Sequence, residues 1–124
     1  MLQVFAIAGG GALGALLRFW MSNGVYALLG RGFPYGTLAV NVLGSFVMGI
    51  LFVLFVERLA VSPELRAGVL VGFLGAFTTF STFAVETLNL VMDGAMTRAL
   101  LNVVASVLVC VLAAFLGMFL GRQL

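Results

Sequence analysis

The segment GFLGAFTTFSTFAVE, residues 72–86, places four hydroxyl side chains, four phenylalanines and one carboxylate inside a strongly apolar chain. Across all 124 residues, 64% are hydrophobic and only 8% are charged, far below the roughly 25% typical of soluble domains. That composition indicates an integral membrane protein. Because hydrocarbon penalises unpaired polar groups, the hydroxyls and Glu86 are expected to face protein or a water-filled path. The segment therefore predicts a conduit or a binding site.

Charged or turn-rich breaks divide the chain into four apolar segments. A bilayer core about 30 Å thick needs about 20 apolar residues per helix. The continuous apolar runs favour helices over the short alternating strands of a transmembrane barrel. The sequence predicts one all-helical domain, residues 1–124. Its four predicted transmembrane helices are 3–22, 36–56, 66–92 and 99–121.

The composition also excludes several classes of site. Histidine is absent and Cys110 is the single cysteine, so the chain has no internal disulfide, no zinc or iron-sulfur cluster and no imidazole proton relay. The six arginines are scattered singly and form no basic run that could track a nucleic-acid backbone. They are better interpreted as signals for membrane topology.

The arginines are predicted to be balanced across the membrane. Four spans place both termini on one side, and the tally is three arginines on each side: Arg58, Arg66 and Arg122 against Arg18, Arg31 and Arg98. With no positive-inside bias, the chain is expected to insert both ways and to form an antiparallel homodimer. The alternative is that Arg18 or Arg66 lies deeper and that a weak bias exists.

Small and polar residues recur at helical spacing in these spans. Pairs of glycines allow helices to approach closely, at Gly10 and Gly14, Gly44 and Gly49, and Gly68 and Gly72. Three spans carry a polar stripe: Thr37, Asn41 and Ser45; Thr82, Glu86 and Asn89; and Asn102, Ser106 and Cys110. Such stripes either bond helices to one another or jointly line a path, and both interpretations stay open.

The middle of the third span combines a glycine with consecutive hydroxyl residues. Gly75, followed by Thr78 and Thr79, permits a break in the helix, and carbonyls freed there need neighbours or a cation. Phe80 and Phe83 share one helix face. Their ring edges could attract a small anion and their ring faces a cation, with ordinary packing as the alternative.

Three sequence segments together resemble the Fluc (CrcB) family of fluoride channels: GGALGALLR from Gly10 to Arg18, GTLAVNVLGSF from Gly36 to Phe46, and GAFTTFSTFAVE from Gly75 to Glu86. The resemblance covers all four spans. It implies a passive, fluoride-selective channel and not an enzyme, multi-pass in the cell inner (plasma) membrane. It also implies a dual-topology antiparallel homodimer with two pores, through which cytoplasmic fluoride leaves down its electrochemical gradient.

The resemblance also implies roles for individual residues. Phe80 and Phe83 correspond to the paired rings of the fluoride path. Gly75 and Thr78 match the break whose backbone carbonyls, from both subunits, hold a central structural sodium ion. Arg18 is similar to an arginine that attracts anions at the entrance. The other expected members of the anion pathway are Asn41, Thr82, Glu86 and Ser106.

Two other classes remain open at this point. A small proton-coupled multidrug exporter is also four-helical, but it needs a carboxylate in its first helix, whereas the mid-span carboxylate here is Glu86 in the third. A non-transporting subunit of a larger membrane complex could use the same polar stripes as interhelical contacts. Glu86 itself is expected to be protonated, bonded to hydroxyls such as that of Thr82, or turned from the ion.

Overall fold

The computed structural model describes residues 1–58 and 60–124, and the regular structure in these ranges is entirely helical. The helices are α1 (Leu2–Leu29), α2 (Tyr35–Arg58), α3 (63–77), α4 (Phe80–Met92) and α5 (Met96–Gln123). Two of them contain wider π-helical turns. These turns form the end of α2, at Val53–Arg58, and the centre of α3, at Ala67–Leu74.

Four helical stretches among the described residues are long and apolar enough to cross a membrane, and the prediction of a multi-pass membrane protein is confirmed. Three of them agree with the predicted spans to within a few residues: Tyr35–Arg58, Pro63–Met92 and Met96–Gln123. The first does not, because α1 continues to Leu29 instead of ending near residue 22. Asn23 and Gly24 are poor helix formers, but the helix tolerates them. It ends at Gly30, whose positive φ of 82° suits a residue without Cβ.

The longer α1 corrects the position of Arg18. That arginine lies inside the helix, eleven residues before Leu29, or about 16 Å at 1.5 Å per residue. It therefore does not lie near the end of the span, where the balanced tally had counted it. Without it, the loop and helix-end arginines number three on the side of the termini and two, Arg31 and Arg98, on the other. The imbalance is one arginine, as in the alternative in which Arg18 lies deeper.

Glycines set the helix contacts, as the small-residue pattern predicted. Gly14 of α1 lies against the backbone of Phe73 in α3, and a Cβ added at Gly14 would meet the Phe73 carbonyl oxygen. In the same way Gly117 of α5 lies against the carbonyl of Phe46 in α2. Since lipid removes the hydrophobic driving force between helices, such close backbone approach is what packs the bundle.

Two extended residues separate α3 from α4. Thr78 has φ −89° and ψ 160°, and Thr79 has φ −151° and ψ 125°. The Thr79 side chain then accepts a hydrogen bond from the backbone N–H of Thr82, at 3.2 Å, and so caps α4. The chain thus presents a short stretch of non-helical backbone midway along the third membrane-crossing segment, between Phe77 and Phe80.

Candidate functional site

The side chain of Asn41 pairs with the backbone of Thr79. The Asn41 amide nitrogen donates to the Thr79 carbonyl at 3.0 Å, and the Thr79 N–H donates to the Asn41 Oδ1 at 2.8 Å. The carboxamide thus takes the place of a peptide group and supplies hydrogen bonds to the N–H and C=O groups of the extended backbone. Hydrocarbon could not supply these hydrogen bonds. One N–H of the Asn41 amide has no role in this pair and is available to another acceptor.

The same rearrangement frees two carbonyl groups. In a continuous helix the Gly75 carbonyl accepts from the N–H of residue 79, but the Thr79 N–H is turned to Asn41. The Thr78 carbonyl normally accepts from residue 82, but the Thr82 N–H is turned to the Thr79 hydroxyl. Both carbonyls on which the predicted sodium site depends therefore lack their usual helical donors. Among the described residues, no group of three acidic, histidine or cysteine side chains could hold a metal instead.

A groove of about 440 Å³ runs beside this extended stretch, and it brings together most of the predicted pathway residues. The rings of Phe80 and Phe83 lie on it with centroids 5.4 Å apart and planes tilted by 52°. The Phe80 side chain is 78% exposed in the single chain. The polar groups that line the same groove are Asn41, Ser45, Thr78, Thr79, Ser106 and Cys110.

Thr82 does not lie on that groove. It lines a separate, smaller cavity of about 190 Å³ between α1, α2 and α4, together with Arg18, Ser22 and Thr37. Thr79 borders both spaces. The structure therefore places Arg18 and Thr82 together, but on a different space from the two phenylalanine rings.

Glu86 is held by two hydroxyl groups from other helices. The Tyr26 hydroxyl of α1 donates to Glu86 Oε2 at 2.5 Å, and the Thr37 hydroxyl of α2 donates to Glu86 Oε1. Thr82, the partner suggested as an example from the sequence, makes no hydrogen bond to Glu86; its hydroxyl accepts from that of Thr79 at 3.1 Å. The guanidinium of Arg31 lies 4.5 Å from the centre of the Tyr26 ring. The carboxylate is thus bound to protein and lines neither the groove nor the cavity.

The polar stripe of α5 bonds to α4. Ser106, only 9% exposed, donates to Asn102 Oδ1 at 3.4 Å, and the Asn102 amide donates to the Thr87 hydroxyl at 2.8 Å. Tyr26 and Thr87 were not singled out in the sequence. An amide such as that of Asn102 within a membrane helix requires a hydrogen-bond partner, so the sequence indicated that a partner exists. Helical spacing does not say which residue that partner is.

Taken together, these features define a small multi-pass membrane protein with a polar, phenylalanine-edged groove beside non-helical backbone. Irregular backbone at membrane depth is typical of proteins that carry ions or small solutes. Comparison with known sequences gives the family. Residues 5–118 match the family described as "CrcB-like protein, Camphor Resistance (CrcB)", and the chain belongs to that family.

Curated relatives agree with this assignment. A protein of Methylococcus capsulatus is 61% identical over 103 residues, which are 83% of this chain but only 45% of that longer relative. A protein of Magnetococcus marinus is 60% identical over 104 residues, 84% of this chain and 85% of the relative. One of Geobacter sulfurreducens is 50% identical over 105 residues, 85% of each. All three bear the name "Fluoride-specific ion channel FluC" and are channels, not enzymes, as predicted for this chain.

Proposed function

We propose that this chain is a passive, fluoride-selective channel that lets cytoplasmic fluoride leave the cell across the inner (plasma) membrane. The observation that carries the proposal is the groove that joins Asn41, Phe80 and Phe83. It belongs to a chain 60% identical, over 84% of its length, to a relative named a fluoride-specific channel.

The lining of the groove suits a small, strongly hydrated anion. The free N–H of Asn41 and the positive edges of Phe80 and Phe83 can replace lost water. Ser106 adds a hydroxyl whose existing bond to Asn102, at 3.4 Å, is long enough to yield to an ion. Among the described residues that line the groove, none is an arginine or lysine. The anion therefore meets no positive charge that would bind it too tightly for rapid exit. Ionised Glu86 would repel fluoride, and its two hydroxyl partners hold it out of the groove.

The assembly we propose is an antiparallel, dual-topology homodimer with two pores. A single chain leaves Phe80 largely exposed and its groove open along one side, so a second copy is needed to close a narrow path. The arginines differ by only one between the two sides once Arg18 is set aside, which is a weak orienting signal. An isologous interface across an axis in the membrane plane would give each groove the same wall.

We also propose a structural sodium ion at the interruption of the third span. The carbonyl oxygens of Gly75 and Thr78, released from their helical donors, fit a hard cation that prefers oxygen ligands. Two carbonyls are too few for one chain alone, so the same pair from a second copy would complete the site. When bound, the ion would neutralise these carbonyl dipoles and tie the two interrupted helices together.

Arg18 and Thr82 have a different place in the proposal. Their cavity of about 190 Å³ holds a guanidinium and several hydroxyls, a combination that attracts anions. We assign it to the entrance, where an arginine raises the local fluoride concentration, and assign the groove to permeation.

Reconstitution of the purified chain tests the function. Liposomes loaded with fluoride or with chloride are monitored by ion-selective electrodes after the potential is clamped. We expect fluoride to leave and chloride to stay. Phe80→Ile and Phe83→Ile should each reduce fluoride efflux at least tenfold, because the volume is roughly kept while the ring edge is lost. Phe119→Ile, on a 58% exposed ring of α5, is the matched control.

The same preparation separates the other classes. A proton-coupled exporter would move an organic cation when a proton gradient is applied, and α1 contains no acidic residue for that exchange. A non-transporting subunit would form a well-folded dimer that releases neither anion. Either result would overturn the channel proposal.

A further inference from the structure

We propose that Asn102 is a positioning residue, which orients α4, and with it the Phe83 ring, through the hydroxyl of Thr87. The expected consequence of this inference, a loss of fluoride flux when Asn102 is replaced, rests on the proposed function. Its structural content, the orientation of one ring, can be measured whether or not the chain carries fluoride.

A continuous chain of hydrogen bonds connects the two walls of the groove. Ser106 donates to the Asn102 carbonyl at 3.4 Å, the Asn102 amide donates to the Thr87 hydroxyl at 2.8 Å, and Thr87 donates to the Phe83 carbonyl at 2.7 Å. Each hydroxyl proton is used once, so the donors all run in one direction. Ser106 and Phe83 line the groove, whereas Asn102 does not.

The burial of Asn102 argues for positioning and against contact with an ion. Its side chain is 1% exposed and is one of the largest fully buried side chains of the described residues. A carboxamide in that setting is retained only with partners, and the partners it has are Ser106 on its own helix and Thr87 on α4. An ion in the groove would reach Ser106 or Phe83 first.

α4 depends on polar contacts for its orientation. The structure describes every residue of α4, and none of them is buried, so apolar packing within one chain fixes the helix only weakly. Side-chain bonds to the other helices attach it at three places. These are Thr79 to Asn41 at the start of the helix, Glu86 to Tyr26 and Thr37, and Thr87 to Asn102. Only the last lies on the α5 side, where it opposes rotation of α4 away from the groove wall that α5 forms.

The expected size of the effect follows from the bond. One interhelical hydrogen bond in a membrane changes an equilibrium between orientations by about threefold on average and by about eighteenfold at most. Asn102→Leu, which removes both polar groups and keeps the number of side-chain heavy atoms, should therefore reduce fluoride efflux by up to about eighteenfold. Thr87→Val should do the same, while Thr87→Ser, which keeps the hydroxyl, should restore efflux.

The decisive readout is the ring itself. The full-length protein carries 4-fluorophenylalanine at position 83, or at position 119 as a reference, and its ¹⁹F NMR signal is recorded in fluoride-free buffer. We expect Asn102→Leu and Thr87→Val to shift or broaden the signal from position 83 and to leave that from position 119 unchanged. Thr97→Val, which alters an exposed threonine of α5 with no bond to α4, should change neither.

The double variant provides a second test. If Asn102 acts only through Thr87, Asn102→Leu combined with Thr87→Val should be no worse than either alone. An unchanged ring signal in Asn102→Leu would overturn the proposal, and so would fully additive losses of efflux. A wild-type protein without fluoride flux would refute the proposed function instead, because the ring signal would still report on positioning. Where Asn102→Leu fails to fold, Thr87→Val and Thr87→Ser give the same comparison.

Discussion

Replacing Asn41 by leucine should destabilise the protein through the backbone of Thr79. The wild-type carboxamide makes two bonds to that residue, at 2.8 and 3.0 Å, and Leu can make neither. A donor or acceptor left unpaired in a buried site costs about 1 to 3 kcal/mol. Because Thr79 borders both the groove and the smaller cavity, water can reach part of this backbone. We therefore expect the lower end for each group, or about 2 kcal/mol in total.

The assay is the free energy of unfolding in mixed micelles, measured by titration with a denaturing detergent and followed by circular dichroism. Asn23→Leu is the matched control, since Asn23 is exposed and makes one long contact, 3.4 Å, with Arg31. We expect the control to lie within about 0.5 kcal/mol of wild type, as exposed substitutions usually do. An Asn41→Leu protein as stable as the control would refute the idea that this side chain satisfies the extended backbone.

Two further predictions concern packing and charge. Gly14→Ala should be about 1 to 3 kcal/mol less stable than Gly9→Ala in the same titration. The new methyl group at position 14 meets the Phe73 carbonyl, whereas Gly9 faces open space. Equal stabilities would show that α1 and α3 do not pack through Gly14. Glu86→Gln should keep most of the fluoride efflux from liposomes, because an amide can still bond to the hydroxyl of Tyr26 and a passive channel requires no proton exchange; loss of efflux from a well-folded dimer would contradict this.

The number of membrane-spanning stretches could be predicted from the sequence because hydropathy is a sum over about 20 residues and tolerates local exceptions. Glycine contacts could be predicted for a similar reason, since spacing places Gly10 and Gly14 on one face whatever lies opposite. The end of α1 could not. Asn23 and Gly24 resemble a turn locally, and their helical state depends on the contacts of the whole helix.

The pairing of polar side chains was the part that sequence could not supply. Helical spacing placed Thr82 and Glu86 on one stripe of α4, yet Glu86 bonds to Tyr26 and Thr37, on helices far away in the sequence. Thr82 instead lies near Arg18 on another cavity. A stripe shows which residues share a face of their own helix, but the partner depends on how neighbouring helices are rotated and shifted along their axes.

The attachment of α4 explains why so many polar residues occur in so apolar a chain. A helix that carries the two groove phenylalanines and buries nothing within its own chain needs another source of orientation. In hydrocarbon a side-chain hydrogen bond can supply it, since water does not compete for the donors. Asn41, Thr37 and Asn102 hold α4 from two sides, at the residue that caps its start and about two turns further on. Its remaining apolar face, with Phe80 most exposed, is free for the second copy of the proposed dimer. Internal polar bonds thus fix the direction of the rings, and the partner would then only have to close the groove.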